Sequence, residues 1–340
     1  MCWQDYDLSM DNQIVNKYLE HPDFSPHLQA CLEQVCASTG FIPETEIKRR
    51  CIYDPNKVWR VCVAGHYQGR PAVLRLENLK LEVDDEQIRQ QFRLQCGHSG
   101  VRPPQTYFAQ AYDPEKGFAF YIEELIQGRP IFDAAQDPDT AVKKFLPFYR
   151  LLRETVRHPF WEKPQTTELE FSGQQMGQWY DLAFKKYPER TTRLSPITDK
   201  LRGRLISHTP DTHLRFQHAH LTGNDVHLNE QGEYIVFANH FWSWRQNGYD
   251  ITFPIWHMWL QLPVEKREAQ AIKNITQTWM DAVYDSVRDL INPKDVELML
   301  LNRLYGALLL DVPAKLNYEP AEQVDQLENA LISEAERLLG

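Results

Sequence analysis

RFQHAHLTGNDVHLNEQGEYIVFANHFWSWRQNGYD, residues 215–250, decides how this chain is read. Its β-rich runs are broken by glycine- and asparagine-containing turns, so it reads as strand, tight loop, strand, turn, strand, loop, helix. The last of these strands is Tyr234 to Ala238. The helix opens at Asp250.

Outward from this block the chain is mostly helical. Residues 141–158 carry Phe145, Phe148, Leu151, Leu152 and Val156 at helical spacing, and helices are predicted over 174–187 and 197–208. Helices resume at Thr252. The last, 321–339, sets Val324, Leu327, Leu331 and Leu338 along one stripe. Upstream the pattern differs. Residues 1–45 read as helices, with Ile14, Tyr18 and Leu19 on one face, then Leu28, Leu32 and Val35, ending at Gly40. Strands 58–63 and 72–76 flank a turn at Gln68-Gly69-Arg70-Pro71 and make a hairpin. A charged helix over 84–95 turns Ile88, Phe92 and Gln95 inward. Strands 106–111 and 118–123 surround a turn at 113–117. The prediction is an α+β chain: N-terminal helices over 1–45, a small antiparallel-sheet lobe with one helix over 46–124, and a larger helical lobe over 125–340 containing the strand-rich segment 214–250. The linker 122–128 is the expected hinge, and the cleft beside it the expected site.

Bulk properties narrow the function classes. With 340 residues, 42% hydrophobic and 12% aromatic, the chain supports a large core. Lys and Arg number 37 against 47 Asp and Glu, a net charge of −10, which disfavours a nucleic-acid backbone as partner. The six cysteines lie in the first hundred residues without a CxxC pair, the usage of reduced thiols in a cytoplasmic protein. The N-terminus has no signal-peptide pattern, and no run of about 18 apolar residues suggests a membrane span.

Six landmarks in order resemble the protein-kinase-like fold, in its aminoglycoside phosphotransferase and choline kinase branch, over roughly residues 40–300. They are Asn56-Lys57-Val58-Trp59-Arg60-Val61, Ala72-Val73-Leu74-Arg75-Leu76, Arg102-Pro103-Pro104, Tyr121 to Gly128 at the hinge, His218 to Val226, and Tyr249-Asp250. The resemblance implies a bilobal fold, ATP or another nucleotide with Mg²⁺ as cofactors, and a small hydroxylated acceptor. It implies nucleotide contacts at Asn56, Arg75, Glu123 and Glu124. His218 matches the first residue of the family's catalytic loop, H-G-D-x-x-x-x-N, and Asp225 its last. Asp250 matches an aspartate that buttresses the loop from below.

The chemistry departs from that pattern. Phosphoryl transfer is mostly positioning and charge neutralisation. A carboxylate should orient the acceptor hydroxyl, yet His220 stands there; a neutral imidazole can take a proton but supplies no negative charge. Asp225, Asn224 and Asn239 are the candidate metal ligands, with Asn239 or His240 where a second aspartate belongs; a carboxamide is a weaker Mg²⁺ ligand. The nucleotide loop 53–57 lacks glycine. On the helix that should supply a glutamate to Arg75, Gln90 and Gln91 are best placed, with Glu86 a turn early. Retained framework with eroded chemistry is the expectation for a pseudokinase, with a protein partner as one of its outcomes; an active kinase of a small hydroxylated compound is the alternative. Two other readings stay open. His218, His220, His227 and His240 would form the cluster of a metal-dependent hydrolase. Phe241, Trp242 and Trp244, with Phe253, Trp256 and Trp259, would form the exposed surface of a non-catalytic scaffold.

Overall fold

The computed structural model describes residues 25–44, 49–54, 58–78, 80–81, 83–208 and 213–340. The expected face of Ile14, Tyr18 and Leu19 lies outside these residues, as does Asn56. By its internal contacts the chain divides into two units. One comprises Met1–Pro130 with Asn224–His240, the other Ile131–Gly223 with Phe241–Gly340. The block 215–250 is therefore divided: its middle hairpin belongs with the first unit and its flanks with the second.

In the first unit, helix α1 (Ser25–Thr39) precedes strands β1 (Ile42–Pro43), β2 (Arg49–Asp54), β3 (Val58–Tyr67) and β4 (Arg70–Glu77). Helix α2 (Asp85–Cys96) follows, then β5 (Val101–Arg102), β6 (Thr106–Asp113), β7 (Phe118–Glu124) and β8 (Gly128–Pro130). The main sheet runs β1-β3-β4-β7-β6, with β2 also on β3. Its pairings are antiparallel. The β3–β4 turn is tighter than expected: only Gln68 and Gly69 form it, both at positive φ (51° and 76°), while Arg70 and Pro71 already pair with Tyr67 and His66. Two positive-φ residues match the strand twist of a two-residue hairpin.

Strand alternation gives this sheet two different faces. Val61, Val63, Leu74, Leu76, Phe120 and Ile122 point to one side and pack with Leu28, Cys31 and Val35 of α1. Arg60, Arg75, Glu77, Tyr121 and Glu123 point to the other and are also buried. At the edge, Gly65 lets β1 approach: a Cβ there would lie 2.2 Å from the Ile42 carbonyl oxygen and 2.7 Å from the Phe41 ring. Gly65→Ala is expected to displace β1 and cost about 1–3 kcal/mol, read as a lower urea midpoint. An unchanged midpoint would mean that β1 contributes no such packing.

A second sheet in this unit, β5-β11-β10-β8, is completed by β10 (Val226–Asn229) and β11 (Tyr234–Val236). The second unit holds α3 (Pro138–Thr155), α4 (Glu168–Lys186), α5 (Pro188–His208), the antiparallel pair β9 (Leu214–His218) and β12 (Trp242–Gln246), and α6 (Thr252–Leu260). Helices α7 (Ala269–Ser286), α8 (Pro293–Gly306) and α9 (Ala321–Leu339) complete it. A π-helical segment, Ala307–Asp311, continues α8. Helix starts follow local sequence: Asp137 caps α3 with Pro138 behind it, and Thr167 with Glu170 forms a capping box on α4. The core centres on Phe132, Phe145, Trp259 and Trp279, all fully buried. The stripe Val324, Leu327 and Leu331 of α9 faces inward as expected, whereas Leu338 is half-buried. Among the described residues no helix is long and apolar enough to cross a membrane. Among the described residues Cys31, Cys36, Cys62 and Cys96 are not disulfide-bonded, and burial pushes the Cys96 thiol up to about 12.

Candidate functional site

In the first unit the candidate residues gather on the polar face of the main sheet. Arg75, in the middle of β4, is 6% exposed, and each of its three nitrogens meets a carboxylate. Nε donates to Glu123 at 2.8 Å, Nη1 to Glu77 at 3.1 Å, and Nη2 to Asp85. Arg89 joins the same group, reaching Asp85 at 2.9 Å and Glu123 at 3.0 Å, and Arg60 pairs with Glu77. The Arg75 guanidinium also lies 4.3 Å from the centre of the Tyr121 ring. Three arginines and three carboxylates thus form one buried, charge-balanced network. Burial would push the Arg75 guanidinium down, but Glu77, Glu123 and Asp85 outweigh it and hold it charged. Burial would likewise raise Asp85 and Glu123, but Arg89 and Arg75 hold both below the usual carboxylate range.

The carboxylate that α2 supplies to Arg75 is therefore Asp85. Gln90 and Gln91 are exposed, and Glu86 instead pairs with Arg93 and Thr106. The helical period explains the correction. Asp85, Ile88, Arg89, Phe92 and Cys96 share the buried face of α2, leaving Gln95 half-buried. An Asp and an Arg four residues apart on an apolar stripe are the signal that marks this buried ion pair. Glu124, also assigned to nucleotide, holds Arg102 through both oxygens at 2.7 and 3.0 Å and accepts from the Gln105 amide.

The β10–β11 hairpin gathers the candidate metal ligands. Val226 pairs with Val236, and the Phe237 amide donates to the Asp225 carbonyl at 2.8 Å. Asp225 and Asn239 therefore sit at the same end of the hairpin, both buried, while Asn224 precedes them half-buried in a 3-10 turn. The Asn239 Nδ2 donates to the Val236 carbonyl at 2.8 Å, which fixes the orientation of its amide. Between hairpin and Asn239, Ala238 takes φ 54°, a left-handed conformation that costs an alanine energy. His240 lies close enough to Asp85 to help lower its titration. One carboxylate and one amide oxygen at a hairpin end fit a Mg²⁺ ion that takes its other ligands from water and phosphate, with one protein charge fewer than two aspartates would give.

In the second unit, His218 closes β9 opposite Trp242, their ring centres 5.4 Å apart. His220 lies beyond the strand and so does not continue its alternation. Its ring stacks on Phe241 at 4.6 Å and packs against Phe253 at 4.9 Å and Trp256 at 5.9 Å. The loop passes closely over Phe132: a Cβ at Gly223 would lie 2.7 Å from the Phe132 carbonyl oxygen. Asp250 is 1% exposed and accepts from Tyr149 Oη at 2.9 Å and Arg153 Nη1 at 3.1 Å. Its backbone amide donates to Gln217 Oε1 at 3.1 Å, tying it to β9 just before His218.

The four histidines of the hydrolase reading divide between the units, His218 and His220 in one, His227 and His240 in the other. Among the described residues no group of three or more His, Cys, Asp and Glu side chains is arranged to hold a metal. The tryptophans of the scaffold reading pack inward. Trp242 and Trp259 are buried and Trp244 and Trp256 half-buried, with Trp242 stacked on Phe216 at 5.8 Å.

No protein-family model matches the chain, and no curated protein sequence matches it. Solved structures do. The aminoglycoside phosphotransferase APH(4)-Ia is 12% identical, with a TM-score of 0.57 over 90% of this chain and 99% of that one. Spectinomycin phosphotransferase APH(9)-Ia, solved with ADP and spectinomycin, is 10% identical, with a TM-score of 0.55 over 91% and 98%. Choline kinase LicA from Streptococcus pneumoniae is 11% identical, with a TM-score of 0.52 over 92% and 99%. At such identities the likeness speaks for architecture alone. The chain has the protein-kinase-like α+β fold, in the form found in aminoglycoside phosphotransferases and choline kinases.

Proposed function

We propose that this chain is a phosphotransferase-like protein of the aminoglycoside phosphotransferase and choline kinase type whose transfer chemistry is impaired. The environment of His220 carries the reading. Where an acceptor hydroxyl needs a carboxylate, an imidazole is stacked on Phe241 and enclosed by Phe253 and Trp256. Its ring is engaged in packing and offers no fixed negative charge to align a hydroxyl or balance a metal.

The nucleotide side supports the same conclusion. Arg75 is the cation that phosphates would meet, but Glu77, Asp85 and Glu123 already hold its nitrogens. A nucleotide phosphate would compete with them and meet their charge, so binding is expected to be weak. Where Mg²⁺ binds, Asp225 and Asn239 would hold it, and it would neutralise phosphate charge. Asp250, Tyr149 and Arg153 keep the framework behind the loop. That retained framework, with Asp225 and Asn239 at one hairpin end, favours an active kinase of a small hydroxylated compound as the second reading. The free cysteines support a cytoplasmic setting, and a pseudokinase would act by binding a protein partner.

Two measurements test this. ATP added with and without Mg²⁺ should raise the melting temperature little, and equally in both cases, since only a ligand that binds the folded state raises it. ADP release in the presence of candidate acceptors should be no faster for the wild-type chain than for His220→Ala. Turnover that His220→Ala abolishes would instead establish the active kinase.

A further inference from the structure

Two arginines of the second unit stand apart from its carboxylates. Arg303, on α8, is 6% exposed, and Arg245, on β12, is half-buried. Neither forms an ion pair with a carboxylate among the described residues, and the Nε of each is buried without a protein hydrogen-bond acceptor. Both converge on Tyr249. Arg303 Nη2 donates to its hydroxyl at 2.6 Å, and the Arg245 guanidinium lies 5.8 Å from its ring centre. Aromatic faces line the pair: Tyr249, Phe253 and Trp179 stand 4.5, 4.6 and 5.1 Å from Arg303, and Phe171 stands 5.0 Å from Arg245.

Arg303 also donates to Asn302 Oδ1 at 3.4 Å and Arg245 Nη1 to the Trp244 carbonyl at 3.0 Å, but these acceptors are neutral, and cations kept from water without a carboxylate are costly. Elsewhere in this chain the rule holds: Arg60, Arg75, Arg89 and Arg153 each meet a carboxylate. Burial lowers the Arg245 guanidinium, Tyr249 opposes this, and the like charge of Arg303 adds to it. One carboxylate that feels the charge of Arg303 is Asp311, on the π-helical segment. Its carboxylate is held by the Trp256 indole at 2.8 Å, is not within ion-pair distance of Arg303, and is pushed by burial toward its neutral form. Phe253 connects this arginine pair to His220, since it packs on both Arg303 and the His220 ring.

We propose that Arg245 and Arg303 form the anion-recognising part of an acceptor site, so that the small molecule bound beside His220 bears a carboxylate or a phosphate group. A guanidinium pair grips either oxyanion with parallel donors, and its positive charge repels an ammonium compound. The assignment rests on reading this unit as the acceptor half of a phosphotransferase-type site, and it names the charge of that acceptor.

The test is calorimetric titration of the full chain, without nucleotide, using inorganic phosphate, succinate and choline chloride as probes. Saturable one-to-one binding of phosphate or succinate is expected, and the better of the two identifies the oxyanion. Arg303→Gln should weaken it about tenfold or more, the loss of one charge-assisted contact. Because Arg303 is buried and its variant is at risk of misfolding, Arg245→Gln is measured beside it and should weaken binding to a similar degree with an unchanged circular dichroism spectrum. Absence of saturable anion binding in the wild type, anion binding that Arg245→Gln leaves intact, or preferential binding of choline would each overturn the proposal. Failure of nucleotide to bind would bear only on the phosphotransferase-like reading.

Discussion

Asp85→Ala is expected to lower the unfolding free energy by about 3–5 kcal/mol, the usual cost of stripping one partner from a buried ion pair. Asp85 is 1% exposed and holds both Arg75 and Arg89, so alanine would leave three guanidinium groups, with Arg60, sharing Glu123 and Glu77. Urea unfolding followed by circular dichroism measures this through the shift in midpoint. A loss below about 1 kcal/mol would show that the network does not behave as one unit, a value typical of exposed pairs. Acid gives a second readout. The folded-state pKa values of Asp85 and Glu123 are depressed, so their contribution is complete above the unfolded values near ~3.9 and ~4.3 and declines as pH falls toward the folded ones. Wild-type stability should therefore fall steadily below about pH 4. In Asp85→Asn the fall should be shallower, because one of the titrating groups is gone.

Asp250→Ala should cost about 3–5 kcal/mol for the same reason, now in the second unit. It would strand Arg153 and remove the acceptor of Tyr149 Oη, both buried on α3. Asp250→Asn should cost less, on the order of 1–3 kcal/mol, because an amide oxygen still accepts from Tyr149 and the Ile251 amide while losing the charge that faces Arg153. Equal losses in the two variants would mean that the charge at residue 250 contributes nothing and that only the hydrogen bonds matter.

The sequence carried the order of elements well because the determining signals are local. Strand alternation around Leu74 and Arg75, the Gln68-Gly69 turn and the helical stripe of α9 each span only a few residues. The helix start after Asp250 is local too, at Thr252. The rest of the site depended on contacts remote in sequence. Glu123 reaches Arg75 across 48 positions, and Arg303 reaches Tyr249 across 54. No spacing rule connects such residues. Asp85 is the exception, because its four-residue spacing from Arg89 on the apolar stripe of α2 is local. His220 lies beyond β9, and its aromatic enclosure comes from Phe241, Phe253 and Trp256, whose convergence only folding produces.

The small sheet β5-β11-β10-β8 has a bearing on how the chain is made. Two of its strands emerge from the ribosome early and two late, separated by residues 131–223. At about 5–20 residues per second that stretch takes roughly 5 to 20 s to translate. Throughout that time β5 and β8 have neither β11 nor β10 to pair with, and bare strand edges invite association between nascent chains. Fragments ending near residue 130 should accordingly be aggregation-prone, and the nascent chain should depend on chaperones until the hairpin at 226–236 emerges.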